Sequence, residues 1–359
     1  RRHTRCLSDW SSDVCSSDLG DVISPDVLWS CTTCGACVNQ CPVDIEHIDH
    51  IVNMRRHQVL VESDFPSELG GTFRNLENKG NPWGMNASTR NDWISEVDFE
   101  VNVLDGAIPA DVEYLFWVGC AGAYEDRAKK TTKAVAELLH KAGVTFGVLG
   151  EGETCTGDPA RRAGNEFLYQ MLAAQNIEVL GEVFKERESK KVVVTCPHCF
   201  TTLGRDYEQL GLKLEVVHHT QLLNKLVRDK KLVPVSPVKQ NITYHDPCYL
   251  GRHNQVYTPP RELLEASGAT IKEMPRNQER SFCCGAGGAR MWMEEKLGAK
   301  INITRVEEAL TTSPEKIAVG CPFCRVMISD GVDSKKQSGE ADESVEVLDV
   351  AQMLLKSLG

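Results

Sequence analysis

The sequence predicts an α/β architecture of two similar halves with largely parallel sheets, preceded by a short helical segment with its own cysteine run. Three observations carry this. Apolar, strand-like stretches, Tyr114–Cys120 (YLFWVGC), Lys191–Cys199 (KVVVTCPHC), Ile242–Cys248 (ITYHDPC) and Lys316–Cys324 (KIAVGCPFC), alternate with helical patterns at Arg127–Ala142, Pro159–Ala174 and Leu297–Thr311. The stretches form two matched sets: Cys120 to Cys155 spans 35 residues, and so does Cys248 to Cys283. Each half closes with a further strand and an amphipathic helix, Leu214–Val227 and Val345–Leu358. Ligands of parallel sheets gather beyond the carboxyl ends of the strands, and here cysteines occupy those ends.

The chain has 359 residues, a net charge of −11, and ordinary shares of charged (25%) and hydrophobic (41%) residues. No Lys/Arg-rich run is long enough to track a phosphate backbone, so no nucleic-acid partner is expected. No stretch approaches 18 consecutive apolar residues, so no membrane helix is predicted within it. Fifteen cysteines are many for this length, and they fall in tight pairs and triplets. That distribution favours metal thiolates in a reducing cytosol over a secreted disulfide scaffold.

In chain order, residues 1–19 (RRHTRCLSDWSSDVCSSDL) lack apolar periodicity and a signal-peptide core, and they resemble translated sequencing-adapter sequence. The expectation is a non-native leader holding Cys6 and Cys15. Native sequence then begins near Gly20, in a protein truncated at its N-terminus. Residues 20–66 carry Cys31–Pro42, CTTCGACVNQCP, whose C-x2-C-x2-C-x3-C-P spacing matches the bacterial ferredoxin run. In such a run the first three thiolates, here Cys31, Cys34 and Cys37, wrap one cubane 4Fe–4S cluster. The fourth, Cys41, ligates the other cluster of a two-cluster domain. Gly35 permits the tight turn around the metal. Zinc is the alternative, but structural zinc sites use paired knuckles and no trailing Cys-Pro. The chain contains no second run, so a run lost upstream of Gly20 is expected; a lone cluster on all four thiols ranks second.

Val43–Ser63 reads as an amphipathic helix with Ile45, Ile48, Ile51, Val52 and Met54 on one stripe and His47, His50 and His57 at the surface. Residues 67–110 are a Gly/Pro/Asn-rich connector with one helix near 66–78, packed down by Trp83 and Trp93. The first repeat spans 111–232 and the second 233–359, with Lys231–Gln240 as hinge. The first offers Cys120, Cys155, Cys196 and Cys199. The second offers Cys248, Cys283, Cys284, Cys321 and Cys324, and Thr156 stands where the second half has Cys284. Gly157 matches Gly285, and the small residues after the Cys-Cys pair let backbone approach what the sulfurs hold. Asp158-Pro159 reads as a helix cap, Arg161 and Arg162 as a solvated face. His198, His245 and His253 lie beside cysteines, each a candidate hydrogen-bond donor to cluster sulfur or simply a packed histidine. A thioredoxin-like reading of Cys196-Pro-His-Cys199 fails on context, because the motif occurs twice, after a strand each time. The Gly285-x-Gly287-Gly288 run lacks the spacing of a dinucleotide loop.

These residues resemble the cysteine-rich (CCG) domain family of heterodisulfide reductase and its relatives, whose pattern is Cys, Cys-Cys-Gly, then Cys-x-x-Cys. Cys248, Cys283, Cys284, Gly285, Cys321 and Cys324 fit it fully; Cys120, Cys155, Gly157, Cys196 and Cys199 fit with one cysteine missing. The resemblance implies a helical ferredoxin-like segment followed by two α/β cysteine-rich domains. It implies one ferredoxin-type cubane, a non-cubane 4Fe–4S cluster at the second repeat, and a further cluster at the first. It also implies an iron–sulfur oxidoreductase that takes electrons from an electron-transfer flavoprotein or flavin dehydrogenase. The acceptor would be membrane quinone, held by an N-terminal membrane domain, with this part at the cytoplasmic face. The family's alternatives are heterodisulfide reduction at the five-thiol site, or an iron–sulfur subunit of a glycolate, lactate or glycerol-3-phosphate dehydrogenase.

Overall fold

The computed structural model describes residues 23–359; the reading of residues 1–19, with Cys6 and Cys15, lies outside the described residues. Among the described residues nine short strands form two all-parallel sheets. The first contains β1 (Asn102–Val103), β2 (Tyr114–Trp117), β3 (Phe146–Val148), β4 (Lys191–Val194) and β5 (Glu215–His218), in spatial order β1-β3-β2-β4-β5. The second contains β6 (Asn241–His245), β7 (Thr270–Ile271), β8 (Lys316–Val319) and β9 (Glu346–Asp349), in order β7-β6-β8-β9. Without the edge strand β1 the two orders are the same, so the repeat in the sequence is a repeat in space. Strands such as Val192-Val193-Val194 and Ile317-Ala318-Val319 are wholly buried, because helices cover both faces of a parallel sheet.

The halves meet through the helices Asp126–Lys141, His219–Arg228, Thr258–Ala266 and Val350–Ser357. Val135, Leu138, Leu139, Leu222, Leu223, Leu263, Leu264, Met353 and Leu354 form one shared core there. His218 and Asp349 occupy matching positions at the ends of β5 and β9, and each caps the helix that follows through a capping box. The buried pair His219 Nε2–Asp349 Oδ1 (3.0 Å) ties the two ends together.

The N-terminal segment packs on the other face of the first sheet. Leu28, Trp29, Met54, Leu69, Phe73 and Leu76 join Leu115, Leu168, Tyr169 and Val192 in a second core. The predicted helix after the Cys-Pro begins later than expected, at His47, because Pro42 and Val43 form a turn closed by the Asp44 amide on Cys41 O and Asp44 is left-handed (φ 56°). Val43 and Ile45 are exposed. In the connector the helix Ser67–Lys79 forms as expected, Trp93 is buried, and Trp83 packs edge-on to Trp292 and parallel to Phe323. The predicted 159–174 helix divides into Asp158–Arg162 and Glu166–Val183. Its cap is Gly157, not Asp158, which takes the first helical position. Arg161 and Arg162 are not a solvated face: both pair with Asp206, and Arg162 also with Asp158, in a largely buried network.

Candidate metal centres

At the second repeat, all five cysteines are buried. Cys248 lies in the turn after β6. Cys321 is extended (φ −158°) after β8, and Pro322, whose ring presets a helical φ, opens the helix Pro322–Gln337, which carries Cys324 in its first turn. Cys283 and Cys284 lie in a loop that Arg252 and Arg305 hold from behind. Arg252 Nη1 donates to Ser281 O (2.6 Å) and Arg305 Nη2 to Ser281 Oγ (3.4 Å). The bend after the pair needs Gly285 (φ 95°), whose amide donates to Cys283 Sγ (3.2 Å). An imidazole nitrogen of His245 and the sulfurs of Cys284 and Cys324 lie within 4.8 Å of one another.

At the first repeat, Cys120 sits in the helical turn Gly119–Tyr124 after β2, Cys155 precedes Gly157 (φ 85°), and Cys196 and Cys199 flank Pro197 after β4. One cleft is lined by all four thiols together with Thr156, Pro82 and Phe323. Beneath it is a buried ion pair that the sequence did not reveal. Arg90 meets Glu153 (Nη1–Oε1 3.1 Å) and donates from Nη2 to Cys120 Sγ (3.6 Å), while Glu153 accepts from the amides of Val118 (3.0 Å) and Gly119 (2.7 Å). The carboxylate thus fixes the strand end that delivers Cys120, and the guanidinium lends positive charge to its sulfur.

The ferredoxin-type loop is clamped onto the second repeat. Arg55, fully buried, donates to the carbonyls of Cys31 (2.7 Å), Leu28 (2.8 Å), Arg162 (2.9 Å) and Gly288 (2.9 Å). Arg252 Nε donates to Cys34 O (2.8 Å), Thr33 Oγ1 meets Tyr249 OH (2.8 Å), and His253 Nε2 donates to Thr33 O (3.0 Å). A Cβ on Gly287 would stand 2.3 Å from Thr32 O, and one on Gly288 2.4 Å from Cys31 O. Those two glycines therefore admit the backbone of the neighbouring cysteine loop, where the sequence suggested an approach to the sulfur-bound group. Gly35 (φ 78°) makes the tight turn expected of it. Cys37 is exposed, and Cys41 Sγ accepts from the Ile45 amide (3.4 Å).

The three thiol groups abut. Cys34 interacts with Cys283, which raises the Cys34 thiol well above its ordinary value, with burial adding to the effect. On the opposite side Cys321 interacts with Cys196. Burial there opposes ionisation of Cys321, but Cys196 and Cys324 bring it down to about 6. Cys196 itself is raised, chiefly by burial. Within the groups, Cys248 is raised by Cys283, Cys155 by Cys120, and Cys199 by Cys196; Cys284 is lowered by Cys283 and Cys324. In space the five-thiol site lies between the other two.

All thirteen described cysteines are free thiols. Sulfur-rich donor sets of four and five suit iron–sulfur clusters, whose iron supplies the positive charge that crowded thiolates need. Of the candidate histidines, His198 is bonded to Asp158 (2.9 Å), stacks on Tyr249 and lines the first-repeat cleft; His253 stacks on the other face of Tyr249; His245 has a ring nitrogen grouped with Cys284 and Cys324. Burial lowers the pKa of both His245 and His253, the latter to about 4.

A twin α/β protein with a cysteine cage at the strand ends of each half is thus defined by fold and site. The CCG cysteine-rich domain matches residues 114–204 and 242–329. The chain is 46% identical over 351 residues to EtfAB:quinone oxidoreductase of Syntrophomonas wolfei, covering 95% of this chain and 48% of that protein. It is 31% identical over 348 residues to one of the polypeptides of dihydromethanophenazine:CoB–CoM heterodisulfide reductase from Methanosarcina barkeri, covering 93% of this chain and 78% of that one. The chain belongs to the heterodisulfide reductase-related family of CCG-domain iron–sulfur oxidoreductases, and it spans about half the length of the first of these relatives. A crystal structure of a hypothetical protein from Helicobacter pylori shares the fold at TM-score 0.51 and 10% identity, over 88% of this chain and 59% of that one. Among the described residues no helix is long and apolar enough to cross a membrane.

Proposed function

We propose that this chain is the electron-carrying part of an oxidoreductase that passes electrons from an electron-transfer flavoprotein, or a flavin dehydrogenase, toward membrane quinone. The observation that carries the reading is the contiguity of the three thiol sites, Cys34 against Cys283 and Cys196 against Cys321. A catalyst needs one open site; a conductor needs several in file. We assign a ferredoxin-type 4Fe–4S cluster to Cys31, Cys34 and Cys37, with Cys41 as the ligand that such a run gives to a sister cluster. A non-cubane 4Fe–4S cluster is assigned to Cys248, Cys283, Cys284, Cys321 and Cys324, and a further 4Fe–4S cluster to Cys120, Cys155, Cys196 and Cys199. Gly35, Gly157 and Gly285 make the turns that aim these thiols. Bound clusters supply one-electron exchange at potentials set by their surroundings. The chain's own residues fix the spacing, exclude water and place donors: Arg55 and Arg252 hold the ferredoxin-type loop against the second repeat, and Arg90 with Glu153 holds Cys120. The donor and quinone follow the name of the Syntrophomonas wolfei relative; we propose in addition that the chain works at the cytoplasmic face of the membrane, beside a membrane domain.

Anaerobic reconstitution with iron and sulfide counts, followed by freeze-quench EPR after mixing with reduced electron-transfer flavoprotein, tests this. Reduction of all three centres is expected. Colourless, iron-free protein, or centres that the flavoprotein leaves oxidised while a heterodisulfide is reduced, would overturn it.

A further inference from the structure

His245 ends β6 and its side chain is 1% exposed. Arg305 is equally buried and fixed on several sides: Nη1 donates to Arg276 O (2.9 Å) and Glu308 Oε2 (2.8 Å), and Nη2 reaches Ser281 Oγ (3.4 Å). Its remaining Nε–H donates to His245 Nδ1 at 3.0 Å. A guanidinium has donors and no acceptor, so Nδ1 must present a lone pair, and the ring proton must sit on Nε2. Nε2 is buried and has no protein partner. A ring nitrogen of His245 lies within 4.8 Å of the sulfurs of Cys284 and Cys324, and since Nδ1 is taken by Arg305, Nε2 is the nitrogen free to meet them.

We propose that His245 is a positioning residue of the second-repeat centre, a neutral imidazole locked by Arg305 into the tautomer that offers Nε2–H to the centre's sulfur. This rests on the proposed iron–sulfur cluster at that site. Coordination by His245 would require the lone pair on Nε2, which would put Nδ1–H against Arg305 Nε–H, two donors 3.0 Å apart. The first repeat gives independent support. Trp117 holds the place of His245, three residues before its own repeat's first cysteine, and its indole N–H is likewise buried and unpartnered. An indole can donate but cannot ligate. The feature common to both repeats is therefore a buried N–H, not a metal ligand. Arg305 adds to its strength, because a cationic donor on Nδ1 withdraws charge from the ring and makes Nε2–H a better donor.

Reduction adds negative charge to cluster and thiolate sulfur, so a donor there favours the reduced state. EPR-monitored redox titration of reconstituted wild type, His245→Leu and His245→Gln gives the test. In H245L the reduced-to-oxidised ratio of the second-repeat centre at a fixed potential should fall about tenfold, equal to about 59 mV for one electron. H245Q, which restores an N–H, should recover most of that shift, and the ferredoxin-type signal should not move in either variant. Pulsed EPR of wild type labelled with ¹⁵N-histidine needs no variant: a weak nitrogen coupling with an exchangeable proton is expected. An unshifted potential in iron-replete H245L, a nitrogen coupling of directly bound strength, or no histidine coupling in wild type would each overturn the assignment while leaving the cluster reading intact. Wild type without iron at this site would overturn both.

Discussion

Gly287→Ala would separate two centres without touching a cysteine. Gly287 is not left-handed, so alanine brings no backbone strain of its own. The added Cβ would stand 2.3 Å from Thr32 O, and relieving that overlap requires a displacement of roughly 1 Å. The carbonyl cannot swing aside freely, because Arg55 holds Cys31 O next to it and Gly288 O across from it, while Arg252 holds Cys34 O. The loop from Cys31 to Cys34 must therefore shift as a body, away from Cys283. Overpacking of this kind costs about 1–3 kcal/mol. Urea denaturation of anaerobically reconstituted protein should read that loss. EPR should read a weaker magnetic interaction between the ferredoxin-type and second-repeat centres, with both iron counts unchanged. A variant within about 0.5 kcal/mol of wild type, with the interaction undiminished, would refute the claim that this glycine sets the spacing.

Arg55→Lys leaves several of the four carbonyls that Arg55 binds without a donor, so denaturation should show a loss upwards of about 2 kcal/mol. Burial opposes ionisation of Asp158, but His198 and Arg162 outweigh it and hold the carboxyl well below the usual range. Its stabilisation is thus complete above the unfolded value of about 3.9 and is lost as pH falls from there toward the lower folded value; Asp158→Asn should make the decline of the urea midpoint below about pH 4 shallower than in wild type. Thr156→Cys supplies the first repeat with the fifth thiol that it lacks at a buried position of nearly the same volume, and its EPR signature should move toward that of the second repeat; an unaltered spectrum would mean that Thr156 does not face the cluster.

The sequence made the repeat, the strand–helix alternation and the thiol sets legible because each is local. A strand running into Cys-Pro-x-Cys carries its own instructions, and its two copies confirm one another. The residues that assemble the sites are not local. Arg55 meets Arg162 and Gly288 across 107 and 233 positions, and Arg90 meets Glu153 across 63. In sequence Arg55 is an unremarked arginine on a helical stretch and Arg90 one in a connector, and only distant carbonyls or a buried carboxylate make them internal. Arg161 and Arg162 misled for the same reason, since Asp206 turns an apparent surface pair into a buried network. His198, His245 and His253 looked equivalent beside their cysteines; three-dimensional partners separate them, with Asp158, Arg305 and Thr33 claiming one each.

The two repeats diverge in a way that the spatial order explains. The five-thiol site is enclosed on every side, with all its cysteines buried, and it alone contacts both neighbours. The outer sites have accessible edges: Cys37 is exposed at the ferredoxin-type loop, and Cys199 is half-buried at the first repeat. A central carrier must accept and release charge through protein alone, so its potential has to be set from within, which a locked donor such as His245 does without solvent. A terminal carrier exchanges electrons with something outside the chain, and there an open position is useful. Thr156, in the register of Cys284, lines the first-repeat cleft beside Phe323 and the tryptophans that pack against it.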